Sequence, residues 1–300
     1  MKMNYISIDI GGTELKYARM DETGKILSHS SVPVADSLDG LLDEIETVSS
    51  GKENIDGIAI SAPGHINART GYFYTGGALV FLNETDFGRM VEERMHCPVS
   101  VINDAKAAAA AEVWKGAMQG VKTGLVLVLG TGIGGAIVLD GKVYRGCSDA
   151  AGEVSMIASD WIRPYRKGHV WAVYEAASSL VKRYAAAAGM DPAACNGRLI
   201  FARAVEKEET ALRVLHEFCA DFTSGLFSLQ SILDMEKTAV GGGISAQPLL
   251  FEIMQEEIDK AYAPFKGKVP FQKPIVVPCR FGNDANLIGA LYHFFELYQK

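Results

Sequence analysis

Two glycine-rich turns constrain this chain more than any other feature. Asp9-Ile10-Gly11-Gly12-Thr13 closes the apolar run Tyr5 to Ile10, and Gly130-Thr131-Gly132-Ile133-Gly134-Gly135 closes the apolar run Gly124 to Leu129. Each turn leads into a further strand rather than a helix. After the first, Glu14 to Met20 resumes with strand patterning and Asp21-Glu22-Thr23-Gly24 turns it into Ile26 to Val34. After the second, Gly135 to Leu139 meets Lys142 to Tyr144 through Asp140-Gly141, a pair that favours a type I′ hairpin. Helix and strand then alternate in both halves. In the first half the pattern predicts helices over Leu38 to Val48 and Phe87 to Met95, strands over Ile55 to Ser61 and Val99 to Asn103, and an alanine-rich helix from Ala105. The second half predicts helices over Val170 to Ala188, Leu212 to Asp234, Pro248 to Tyr262 and Ala285 to Tyr298, with strands Lys237 to Val240 and Pro274 to Pro278.

The chain is therefore expected to be an α/β protein built from two copies of one βββαβαβα plan, forming two lobes around a central cleft, a usual place for a ligand. The lobes are expected at residues 1–117 and 118–300, the join falling near Gly116 to Gly120, with the last helix packing back on the first lobe. A length of 300 residues with 48% hydrophobic and 22% charged residues supports two such cores.

A formal charge of -7 argues against nucleic acid, which needs clustered Lys and Arg, and points to a small-molecule partner. No apolar run is long enough to span a bilayer, and Asp9 interrupts the first one where a signal peptide needs continuity, so a cytoplasmic location is expected. The five cysteines, Cys97, Cys147, Cys195, Cys219 and Cys279, contain no CxxC pair, so neither a disulfide framework nor a zinc site is expected.

Gly130 to Gly135 satisfies GxGxxG literally, yet a dinucleotide fingerprint must open a helix, and this one opens a strand. What fits is a turn whose bare backbone N–H groups cradle phosphate, Thr131 adding a hydroxyl. In the first half Thr13 supplies the hydroxyl, and Asp9 at a strand end suits a hydrated magnesium ion. Either turn alone also reads as a tight hairpin; the pair, at matching places of a repeat, favours a shared phosphate site. Asn103-Asp104-Ala105 ends a strand and starts a helix, so either polar residue could be an N-cap, or Asp104 could accept a proton from a hydroxyl attacking a γ-phosphate. Glu153 and Glu175 are carboxylates able to pair with sugar diols, the latter in an apolar helical segment. Gly241, Gly242 and Gly243 join a strand to a helix and leave room for a flat base or ribose, or serve only as a turn.

These residues, in this order and spacing over nearly the whole chain, resemble the ROK family of bacterial sugar kinases and related repressors. Asp9 to Thr13 with Lys16 resembles its first phosphate motif, Asn103-Asp104-Ala105 its catalytic motif, and Leu129 to Gly135 its second phosphate motif. Ala151-Gly152-Glu153 resembles its sugar-binding motif and Gly241 to Gly243 its adenosine motif. The resemblance implies an actin-like (ribonuclease H-like) fold, ATP with magnesium, transfer of the γ-phosphoryl group to a sugar hydroxyl, usually the 6-hydroxyl, and a homodimer. Asp104 would be the base. Asn103, Glu153 and Glu175 would hold the sugar, and Asp9, Gly11, Gly12, Thr13, Lys16, Gly130, Thr131, Gly132 and Gly134 would surround magnesium and phosphates.

Three departures matter. Met156 stands where the family's usual histidine falls, the cysteine cluster that normally follows is missing from Ser159 to Val173, and Gly77-Ala78-Leu79 replaces the Pro-Asn-Leu of glucokinase-like members. Without those ligands a structural zinc is not expected; packing by Trp161, Tyr165, Trp171 and Tyr174 would replace it. The pattern is nearest to the zinc-free branch that includes β-glucoside kinases, with glucose or β-glucosides as acceptors and N-acetylmannosamine as the alternative. The acceptor pocket would be shaped by the loops around Gly64 to Asn83, with Gly64 and Gly77, and Met156 to Val173. A repressor of the same family would need a helix-turn-helix ahead of Asp9, and the retained Asp104 argues against a silent sugar sensor.

Overall fold

The structure is a computed structural model that describes residues 3–50, 55–159 and 169–298. Trp161 and Tyr165 lie outside the described residues. The chain divides into two units: Met1–Lys115 with Arg145–Ala151 and Asn283–Lys300, and Gly116–Tyr144 with Gly152–Gly282.

The first unit is built on strands β1 (Tyr5–Ile10), β2 (Glu14–Met20), β3 (Ile26–Pro33), β4 (Gly57–Ala62) and β7 (Val99–Asn103), in the order β3-β2-β1-β4-β7. β1 pairs antiparallel with β2 and parallel with β4, which pairs parallel with β7. All six residues of β1 are buried, as expected for a central strand covered on both faces. Ile6, Ile8 and Ile10 join one core with Leu41 and Ile45 of helix α1 (Leu38–Ser49) and Phe87 and Val91 of α2 (Phe87–Met95). On the other face lie α3 (Asp104–Lys115) and α9 (Ala285–Tyr298), and Ser7 Oγ donates to the Leu287 carbonyl at 2.6 Å. The alanine run of α3 makes sense here, because the helix is buried nearly all round and presents no polar stripe. Only a glycine lets α9 approach it: a Cβ at Gly289 would lie 1.7 Å from the Ala107 carbonyl oxygen.

The second unit repeats the arrangement with β8 (Gly124–Leu129), β9 (Ile133–Leu139), β10 (Lys142–Tyr144), β11 (Lys237–Gly241) and β12 (Val276–Pro278), ordered β10-β9-β8-β11-β12. Asp140 and Gly141 both take positive φ, as a type I′ turn requires. Helices α5 (Ala177–Ala188), α6 (Gly197–Val205), α7 (Glu209–Leu233) and α8 (Pro248–Tyr262) bury Leu180, Phe201, Phe218, Phe222 and Ile253 against β8 and β11.

Three features depart from the sequence reading. A short hairpin, β5 (His65–Asn67) and β6 (Tyr72–Thr75), was not anticipated, nor was α6. The helix expected over Val170 to Ala188 is broken: α4 (Trp171–Tyr174) stops, Glu175 caps it, and Ala176 is extended before α5 begins. The break is imposed from outside. It lets the Ala177 N–H donate to the Gly130 carbonyl at 2.9 Å and Ser178 Oγ to the Thr131 carbonyl at 2.8 Å. Glu175 is therefore a residue of a helix break, not of a helix interior.

Candidate active site

In the first unit the candidate residues collect at the carboxyl ends of the parallel strands, the usual ligand side of such a sheet. Asp9 comes from the end of β1, Gly64 follows β4, and Asn103 ends β7. Asp9 is 8% exposed and accepts a hydrogen bond from Asn286 Nδ2 at 2.9 Å. Burial raises its pKa, opposed by the Asn286 bond and by Lys16, its register partner on β2. After β1 the chain turns tightly, with Gly11 N–H donating to the Glu14 carbonyl at 2.8 Å, while Gly12 and Thr13 are exposed.

At the start of α3 the two polar residues divide their work. Asn103 Oδ1 accepts from the Lys106 N–H at 3.2 Å and caps the helix, while its Nδ2 donates to the Gly64 carbonyl at 3.0 Å. Asp104 is the first residue of the helix, half-buried, with Oδ1 accepting from the Ala105 N–H at 2.7 Å. Gly77 packs against Gly64 at the base of the β5–β6 hairpin, where its added Cβ would come 3.2 Å from the Gly64 nitrogen. The structure thus brings Asn103, Gly64 and Gly77 together, and separately Asp9 with Lys16 and Asn286.

In the second unit the two glycine turns share one sheet end, since β8 and β11 are neighbours and Gly241 is in register with Val128. Gly130 N–H donates to the Gly132 carbonyl at 2.9 Å, closing a compact turn, and Gly134 follows on β9. Gly242 is demanded by the fold: its φ is +96° and a Cβ would lie 2.2 Å from the Leu129 carbonyl oxygen. Gly132 is different. Its φ is ordinary and nothing lies within 4 Å of where its Cβ would be, as is also true of Gly243. The protein itself leaves that space open, which is what backbone N–H groups facing phosphate need.

Glu153 and Glu175 differ in exposure, the one at the N-cap of the 3₁₀ turn Val154–Met156 and the other at the C-cap of α4. Glu153 is exposed and accepts from Ser155 Oγ. The Glu175 side chain is fully buried beside a cavity, with Arg183 at 3.5 Å. Burial pushes the Glu175 carboxyl up to about 9, Arg183 pulling it down and Asp221 pushing it further up. That shift favours the protonated carboxyl, a form that donates one hydrogen bond as well as accepting.

Among the described residues no cluster of three His, Cys, Asp or Glu side chains could hold a metal ion. The donor set at Asp9 is a single carboxylate, which matches magnesium kept largely in its water shell rather than a protein cage. Sequence reasoning missed Asn286, the hydrogen-bond partner of Asp9. Its signal was present: Asn283-Asp284-Ala285 repeats the letters of Asn103-Asp104-Ala105 at the equivalent place of the second copy.

The ROK family model matches residues 5–296, and the chain belongs to the ROK family. It is 32% identical to a β-glucoside kinase of Listeria innocua, over 98% of this chain and 98% of that protein. Among solved structures it is similar to a ROK family protein from Streptococcus pneumoniae in complex with sucrose, with a TM-score of 0.88, 26% identity and 98% of each chain covered. It is also similar to a ROK family glucokinase from Streptomyces griseus in complex with glucose and AMPPNP, with a TM-score of 0.77, 26% identity, and 96% of this chain and 97% of that one covered. The expected fold class, the mixed α/β actin-like fold of these kinases, is the fold of this chain. No described helix is long and apolar enough to cross a membrane.

Proposed function

We propose that the chain is an ATP-dependent sugar kinase that transfers the γ-phosphoryl group to the 6-hydroxyl of glucose or of a β-glucoside. The supporting observation is the division of labour at the start of α3: Asn103 performs the capping, so Asp104 is not needed for it. In this reading Asp104 accepts the proton of the attacking hydroxyl while its oxygen bonds to the γ-phosphorus and the bond to the bridging oxygen of ADP breaks. Asn103, Glu153 and Glu175 hold sugar hydroxyls, with Gly64 and Gly77 shaping the loop that Asn103 grips. Gly11, Gly12, Thr13 and Lys16, with Gly130, Thr131, Gly132 and Gly134, surround the phosphates; Gly241, Gly242 and Gly243 leave room for adenosine. Asp9 would hold magnesium through water. When bound, magnesium offsets charge on the β- and γ-phosphates. Cytoplasmic location and a homodimer belong to the same reading.

A panel of glucose, cellobiose and N-acetylmannosamine with ATP and magnesium, followed by ADP release, tests it. Turnover with glucose or cellobiose is expected; release with N-acetylmannosamine alone would replace the acceptor, and release with none would sink the reading. Metal analysis of purified, untagged protein should find no stoichiometric zinc, and a zinc-selective chelator should leave Tm unchanged, because no local Cys and His set is present to supply a tetrahedral site. One tightly held zinc per chain contradicts this.

A further inference from the structure

The β5–β6 hairpin is too small to hold itself in place. Its strands bury only Ile66 and Phe73, and an isolated two-stranded hairpin is marginal in water. Three side chains tie its main chain to the rest of the first unit. Asn103 Nδ2 donates to the Gly64 carbonyl at 3.0 Å, His293 Nε2 donates to the Ala68 carbonyl at 2.8 Å, and the ring of His65 donates to the Ser148 carbonyl. The first of these bonds lies beside Asp104. The other two lead to His293 on α9 and to the segment Arg145–Ala151, to which the reading above gives no role.

Arg145–Ala151 is a closed loop, its ends joined by the Ala151 N–H donating to the Arg145 carbonyl at 3.1 Å. From this loop Arg145 Nη2 donates to His293 Nδ1 at 2.9 Å and lies 3.5 Å from Glu296 Oε2. A carbonyl can only accept, so the proton of the wholly buried His293 is on Nε2, and Nδ1 offers its lone pair to the guanidinium. Burial lowers the His293 pKa, which favours this neutral ring, and Arg145 acts in the same direction against Glu296. From Arg145 through His293 to Ala68 the bonds therefore run donor to acceptor without a break, each polarising the next. The arrangement has a cost, because Arg145 Nη1 is buried with no partner. A guanidinium kept there despite an unpaired N–H is placed for the bond that its other nitrogen makes.

We propose that Arg145 and His293 are positioning residues of the acceptor site. They hold the hairpin at Ala68 while Asn103 holds it at Gly64, so that the Asn103 amide and the glycines at the hairpin's base keep one geometry toward the sugar. The base has no slack: Gly64 has a φ of +106°, and a Cβ there would lie 2.1 Å from the Thr75 carbonyl oxygen. A displaced hairpin therefore moves the carbonyl that Asn103 grips. The inference rests on the sugar-kinase reading and adds to it two residues that touch no substrate.

The test uses Arg145→Met, which keeps the stem and removes the donor, together with His293→Leu and His293→Gln, the last keeping a donor and an acceptor on one planar amide. Glucose and cellobiose are the probes. Arg145→Met and His293→Leu should raise the KM for whichever sugar wild type uses better by about 5- to 20-fold and leave the KM for ATP within about twofold. Hydrogen exchange across residues 65–75 should quicken in both. His293→Gln should return the sugar KM to within about threefold of wild type. Should His293→Leu fail to fold, Arg145→Met decides the matter. Equal rises in both KM values, an unaltered sugar KM despite faster hairpin exchange, or a glutamine variant no better than leucine would each overturn the proposal and leave the network a structural one. Calorimetry without ATP separates it from the kinase reading. Weaker sugar binding by Arg145→Met supports the positioning role even where wild type binds sugar without turnover, an outcome that removes the kinase; wild type binding neither sugar removes both.

Discussion

Asp104→Asn is expected to lower kcat by roughly 10²- to 10⁴-fold, the usual worth of a positioned general base, with Tm and the KM values for ATP and sugar little changed. The fold should survive because the helix cap is Asn103, whose Oδ1 accepts from the Lys106 N–H, and because an amide at 104 can still accept from the Ala105 N–H. Steady-state kinetics on a variant with wild-type melting behaviour measures this. A kcat within twofold of wild type would take Asp104 out of the mechanism. A large fall in Tm would instead assign it a structural role.

Gly132→Val carries the second large effect. The open space at the Gly132 Cβ position and its ordinary φ mean that the variant folds without steric penalty from the protein. A branched side chain there would occupy room that phosphate oxygens need against the turn. Loss of one or more hydrogen bonds to a charged phosphate corresponds to about a 10- to 100-fold rise in the KM for ATP, with the KM for sugar within about twofold. Equal changes in both constants would mean that the nucleotide is not held at this turn. Gly242→Val makes a useful contrast, since its Cβ would strike the Leu129 carbonyl and the damage should appear first in Tm.

Strands β1, β8 and β9 were legible because their apolar runs end in glycine or Asp-Gly punctuation, which marks their limits. The duplicated plan followed from those turns together with the alternation of helical and strand periodicity in both halves. The β5–β6 hairpin escaped because its strands are three and four residues long and bury only Ile66 and Phe73. The break at Glu175 was unreadable for a different reason. Ala176 and Ala177 are strong helix formers, and what stops the helix is a pair of hydrogen bonds to Gly130 and Thr131, over 40 residues away. The cavity beside Glu175 has no local signature, because its walls come from residues 157 to 228 and meet only in the folded unit. Asn286 could have been found, since the repeated Asn-Asp-Ala letters marked its helix as the counterpart of α3.

The position of α9 also sets the order in which the molecule can be finished. β1 is made well before its partners: Asn286, which pairs with Asp9, and Leu287, which accepts from Ser7, follow some 280 positions later. At typical synthesis rates of about 5–20 residues per second, the back of the first sheet waits tens of seconds for the helix that covers it. Ala107 and Ala111 of α3, and the surface of β4 at Gly57 that Phe294 fills, lack their partner for that whole interval. The second unit, whose segments lie between, is synthesised completely before the first can close. Asp9 therefore acquires its partner Asn286 only after the whole of the second unit has been made.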